Sequence, residues 1–176
     1  MSTNHHFHLL KGAKFTKELM RDIEREIKEN SKLVKDSFIS EDVICINFTH
    51  GSFETLFVTT DYDKTHFSLK FPDESLYSGF KYRNGDHNVF VFKIIMLLKY
   101  HLKDNIIISS EDFYGGYSYD FLKAIEYINN LGYNISAKLR EDNDTTPRIF
   151  IDNEEVVNIY DEDGKIFNSM FTVKYL

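Results

Sequence analysis

The sequence predicts a single α+β domain, a mixed and mainly antiparallel β-sheet with about three α-helices packed on it. Three observations carry that expectation. Residues 88–104, NVFVFKIIMLLKYHLKD, are apolar round most of a helical circumference and lead directly into the β-branched run Ile106, Ile107, Ile108. Residues 42–81 change to a period of two, broken by turn-forming residues. The whole chain of 176 residues is 42% hydrophobic with only two prolines and eight glycines, which allows a substantial core and argues against disorder.

Residues 1–12 read as a flexible N-terminal arm, leaving 13–176 as the domain. His5, His6 and His8 crowd together there, but imidazoles on a mobile segment lack the partners that orient metal ligands, so no metal is expected. Residues 15–35 read as an amphipathic helix with Phe15, Leu19, Ile23 and Ile27 on its apolar stripe and Met20 beside it. Lys14 with Glu18, Glu24 with Lys28 and Arg25 with Glu29 form opposite-charge pairs on the outside. The runs DVICINF, SFETLFVTT and THFSLKF then look like an antiparallel meander, and Asn84-Gly85 is a strong turn dipeptide before the next helix.

The centre of the chain is residues 88–132. Asn88 suits an N-cap, and the helix behind it is too short in continuous apolar residues, and too interrupted by Lys93, Lys99 and Lys103, to span a membrane. Ile106 to Ile108 do not alternate, the pattern of a strand covered on both faces. After the loop 110–120, SEDFYGGYSYD, Ser118 can cap a helix with Phe121, Leu122, Ile125 and Ile128 inward, and Gly132 suits the left-handed residue beyond its end. Residues 133–139 alternate, so strand, helix and strand here predict a right-handed parallel crossover. Three more strands follow at 148–151, 156–160 and 165–174, the last two joined by Asp161, Glu162, Asp163 and Gly164.

A formal net charge of −7 argues against nonspecific binding to nucleic acid or anionic membrane, both of which reward a basic face. The charge is uneven: residues 141–163 hold nine acids against Arg148 alone, whereas residues 1–40 are slightly basic. Cys45, the one cysteine, excludes an intramolecular disulfide and sits among Val43, Ile44, Ile46 and Phe48 as an inert thiol. Residues 1–12 carry neither a basic n-region nor a long apolar run, so a cytoplasmic location is expected.

Recognisable catalytic sets are missing. There is no GxGxxG or GxxxxGK[ST], and Gly115-Gly116 lacks the lysine that would contact phosphate. GxSxG, HExxH and paired CxxC are absent too. Asp61-x-Asp63-x-Thr65 begins like a calcium loop but meets His66 where Gly is required and Pro72 where the bidentate Glu belongs. Pro72-Asp73 with Asp163-Gly164-Lys165 only imitates a metal-nuclease motif, at too long a separation. No cofactor is expected. Histidine acid/base chemistry by His50, His66, His87 or His101, in a small hydrolase or nuclease, is the enzymatic alternative. A subunit that pairs with itself through a sheet edge is a third reading.

The loop carries the leading expectation. Glu111, Asp112 and Asp120 are interleaved with Phe113, Tyr114, Tyr117 and Tyr119, with the two glycines permitting a tight turn. Tyrosine gives a large amphipathic contact surface at low entropic cost, and carboxylates between the rings would steer and pair a basic partner. The expected function is therefore an acidic protein-binding module for a basic protein, most concretely an immunity or inhibitor protein that occupies the cleft of a nuclease-type toxin. Glu111, Asp112 and Asp120 would imitate phosphates, Tyr114, Tyr117 and Tyr119 stacked bases, and Asp161, Glu162 and Asp163 would supply outer steering charge.

Overall fold

The computed structural model of the chain describes residues 2–49, 54–61, 68–70, 76–83, 87–111, 119–138 and 147–158. Along them run β1 (Ser2–Leu9), α1 (Lys17–Glu29), β2 (Val34–Ile39), β3 (Val43–Phe48), β4 (Leu56–Thr59), β5 (Ser68–Lys70) and β6 (Leu76–Arg83). After these come α2 (His87–Leu102), a 3-10 turn (Lys103–Asn105), β7 (Ile106–Ser110), α3 (Tyr119–Asn130), β8 (Ile135–Lys138), β9 (Arg148–Ile151) and β10 (Glu154–Val156). The fold is α+β, and every strand pair among the described residues is antiparallel. The strands form three small sheets rather than the one expected, in the orders β5-β6-β1-β7, β2-β3-β4 and β10-β9-β8.

Residues 2–9 correct the reading of a flexible arm. They are β1, which lies between β6 and β7, with His5 opposite Phe80 on one side and Ser110 on the other. The histidines are expected on a mobile segment, yet burial lowers the His5 pKa to about 3, so its ring is neutral and packs edge-on to Phe92 at 5.0 Å between centroids. A neutral imidazole buries far more cheaply than a charged one.

Helix α1 opens at Thr16, whose hydroxyl accepts from Leu19 N at 3.1 Å, and closes at Asn30, whose side chain donates to Glu26 O at 2.8 Å. It therefore ends before residue 35, and the chain turns into β2, a strand invisible to periodicity because its four central residues are exposed. Of the expected meander, β3 and β4 pair antiparallel, but β5 joins β6 in another sheet, and the third strand beside β3 is β2. Cys45 sits half-buried in β3, and burial raises its thiol pKa, in keeping with an inert thiol.

Helix α2 is buried on nearly all sides, as its sequence requires. Phe90 meets Phe48 of β3 at 6.2 Å, and Phe92 meets both His5 of β1 and Phe121 of α3, the latter at 5.4 Å. Residues 106–110 are fully buried as β7. The parallel crossover does not form: β7 pairs with β1, and β8 pairs antiparallel with β9. With one edge of β7 taken by β1, β8 finds its partner in the hairpin that follows it. Gly132 has φ +102°, the left-handed conformation expected of it. Asp152 and Asn153 both have positive φ and make a two-residue hairpin, which starts β10 at Glu154, earlier than the strand expected at 156–160. The strand expected at 165–174 lies outside the described residues.

Because Phe92 is fully buried against rings from β1 and α3, Phe92→Ala is expected to destabilise the fold by about 3–5 kcal/mol in urea denaturation. A loss below ~1 kcal/mol would show that α2 is not the packing centre.

Candidate functional site

The expected binding loop joins the end of β7 to the start of α3, and the structure describes both of its ends. Glu111 follows β7 directly and is exposed. Its two carboxylate oxygens accept from Asn4 of β1, Oε2 from the main-chain N at 3.1 Å and Oε1 from Nδ2 at 2.8 Å. At the other end Asp120 sits in the first turn of α3, where a carboxylate also complements the helix dipole, and Asn88 Nδ2 donates to its Oδ2 at 2.7 Å. Asn88 is thus not the N-cap expected of it. Helix α2 starts at His87, and Asn88 is a buried residue of its first turn that crosses to α3.

The loop therefore leaves and re-enters the fold at two anchored carboxylates. Between them, Asp112, Phe113, Tyr114 and Tyr117 lie outside the described residues, as do Asp161, Glu162 and Asp163. Tyr119 is 75% exposed at the start of α3, with Lys123 Nζ 5.8 Å from the centre of its ring.

Three residues further on, Leu122 is 47% exposed on the same side of the helix. The sequence reading placed Leu122 inward. Phe121, Ala124 and Ile128 form the buried face instead, and Leu122 falls off that stripe by one position. The spacing of Phe121, Ala124 and Ile128 was the signal that could have found it.

A second polar constellation joins the three helices. Asp22 of α1 is buried and accepts from three side chains: Arg25 Nη1 at 3.0 Å, Tyr133 OH, and His101 Nε2, which lies 2.7 Å from Oδ2. Burial and the bond to Asp22 push the Tyr133 hydroxyl up to about 12. One turn on, Glu26 is wholly buried, with Arg25 Nε at 3.7 Å and Lys93 Nζ at 3.9 Å. Lys93 lies over the Tyr127 ring, 3.4 Å from its centre, and Tyr127 OH donates to Glu29 at 2.5 Å. Arg25 and Glu29, expected to pair with each other on the outer face, thus each take a different partner.

Of the four histidines considered for acid/base chemistry, His101 is held by Asp22 and His87 is buried beside Phe48, 5.8 Å between ring centres. His50 and His66 lie outside the described residues. The described residues hold no group of three or more His, Cys, Asp or Glu able to take a metal, and no helix among them is long and apolar enough to cross a membrane. Comparison with protein-family models, curated proteins and solved structures finds no match to this chain.

Burial raises the Glu26 pKa against the pull of Lys93 and Arg25. A carboxyl raised in this way binds its proton more tightly folded than unfolded. Its cost to stability is absent below the unfolded value and grows as pH rises through that value to the folded one. Glu26→Gln is accordingly expected to raise the urea midpoint at pH 7 and to leave it unchanged at pH 3. A lower midpoint at pH 7 would mean that the two cations outweigh the burial.

Proposed function

We propose that this chain is an acidic protein-binding module that takes a basic partner protein through the β7–α3 loop and the start of α3. The observation that carries the reading is the exposed pair Tyr119 and Leu122, one helical turn apart and next to the anchored acids Glu111 and Asp120. A large aromatic ring and an aliphatic chain presented together are costly to leave in water and are typical anchors of a protein contact. The net charge of −7 supplies attraction for a basic surface.

The concrete form of this proposal is an immunity or inhibitor protein for a cationic nuclease-type toxin. Glu111, Asp112 and Asp120 meet the groups that hold nucleic-acid phosphates, and Tyr114, Tyr117 and Tyr119 take the place of stacked bases. Asp161, Glu162 and Asp163 add long-range steering. Fixed loop ends support it, because a contact surface ordered before binding loses less entropy on binding.

A second reading rests on the 2.7 Å contact of His101 with Asp22, since a carboxylate that fixes an imidazole tautomer is a common part of acid/base sites. Nuclease and esterase assays of the purified protein decide it. Turnover that vanishes in His101→Ala while the fold persists would favour the enzyme.

Capture of partners from the native host, washed at low and then high salt, tests the first reading. One basic protein retained in stoichiometric amount is expected, with an on-rate that falls as salt rises. The double variant Tyr119→Ala, Leu122→Ala is expected to weaken that complex at least about tenfold, or ~1.4 kcal/mol. Unchanged affinity would remove α3 from the interface, and capture of no basic protein would defeat the reading.

A further inference from the structure

β7 is the last strand of its sheet, yet its outer edge is not bare. Leu10 N donates to Asn105 O at 2.9 Å, which sets the phase of the β1–β7 ladder. Residues 105, 107 and 109 turn their main-chain groups toward β1, so Ile106, Ile108 and Ser110 turn theirs outward. Among the described residues no strand pairs with that outer edge.

Residues 157 and 158 cover it instead, through side-chain bonds. Ile108 N donates to Asn158 Oδ1 at 2.8 Å, and Asn158 Nδ2 donates to Pro147 O at 2.9 Å. Val157 N donates to Asp104 Oδ1 at 2.7 Å. Beneath them lies Lys99 of α2, fully buried, with Nζ donating to Ile106 O at 2.5 Å, to Lys103 O at 2.8 Å and to Val157 O. Three main-chain carbonyls converge on one amine that has three N–H bonds when protonated. This single side chain ties the end of α2, the outer edge of β7 and the stretch after β10 to one another.

We propose that residues 157–158 form a latch over the outer edge of β7, pinned by Lys99, and that opening the latch is coupled to proton uptake by that amine. Opening would bare a row of main-chain donors and acceptors on the strand that leads into Glu111. The device is independent of what the neighbouring loop binds.

The sign of the coupling follows from the surroundings of Lys99. Burial pushes the amine down to about 7, countered in part by the negative field of Asp104. The other charged or titratable side chains on the elements that meet here are Lys103 in the 3-10 turn, His87, Lys93, Tyr100 and His101 of α2, His5, His6 and His8 of β1, and Glu154 with the Arg148–Glu155 pair on β9 and β10; the charge that acts on the amine is that of Asp104. Residues 106–110 and 156–158 contribute none. An opened latch would return the amine to an ordinary value of about 10.4. Above pH 7, opening takes up a proton and becomes less favourable, approaching tenfold per pH unit. Below pH 7 the amine is protonated in both states and opening is insensitive to pH.

Amide hydrogen exchange of the intact chain, followed by NMR from pH 6 to 9 and corrected for intrinsic chemistry, reads the latch directly. Protection of the Val157 and Ile108 amides is expected to be flat below pH 7 and to rise severalfold or more by pH 8.5. Leu10 N–H, on the inner edge, is expected to stay constant. Lys99→Met is expected to lower protection at both latch amides and to abolish the rise. Asn158→Ala, which keeps the amine, is expected to lower protection at Ile108 and to preserve the rise at Val157. The proposal is overturned if protection at Val157 is flat or falls with pH, if Leu10 follows it, or if the rise persists in Lys99→Met. Should Lys99→Met fail to fold, a rise at Val157 that is lost in Asn158→Ala overturns it equally.

Discussion

Everything in this fold follows from the need to cover α2. A helix apolar round most of its circumference has no face it can leave in water, so other elements must wrap it. Burying a residue such as Phe90, Phe92 or Leu97 contributes roughly 1.5–3 kcal/mol each, and those contributions come only if β1, β3, β7, α1 and α3 all reach the same helix. The ring contacts from Phe90 to Phe48, and from Phe92 to His5 and Phe121, show three of those elements arriving. Strands from two small sheets do this where one large sheet would cover a single side. The division into separate sheets, which sequence periodicity cannot reveal, is thus the geometric price of a central helix.

Wrapping a helix this completely also traps its polar residues, and the fold handles the two lysines differently. Lys93 keeps company with side chains, lying between the Glu26 carboxylate and the Tyr127 ring. Burial lowers its pKa while Glu26 and Glu29 hold it up. Lys99 donates to three main-chain carbonyls, which supply partial charge rather than a full counter-charge. The first arrangement ties helix to helix through charges that partly neutralise one another. The second leaves an amine without a full counter-charge among its bonded partners, and burial pushes its pKa down.

How much of this could be read from the chain depends on whether residue type and environment agree. They agree for α2, for Ile106 to Ile108 and for Gly132, where apolar runs and a required positive φ leave one reading. They disagree for His5 and His8, polar residues of the expected arm that are both buried within β1. They also disagree for Lys99, which interrupts the apolar run of α2 in sequence and is buried in the fold. β2 escaped because an exposed strand has no buried face to impose alternation. The candidate loop was visible through composition, but its anchors were not. Asn4 and Asn88 are separated from Glu111 and Asp120 by 107 and 32 residues, and no local pattern connects them.

Those two asparagines bear on what kind of surface the loop ends make. An exposed acid used only for long-range attraction needs no fixed position, because a field over a Debye length of about 8 Å is insensitive to small movements. Glu111 and Asp120 each accept from an uncharged amide, that of Asn4 and that of Asn88, and such a bond restrains a carboxylate without supplying a counter-charge. Two acids held in place, with Tyr119 and Leu122 exposed beside Asp120, suit short-range pairing with defined geometry more than diffuse steering. That distinction is the physical reason for proposing a contact at this end of the fold rather than one that rests on the chain's acidity as a whole.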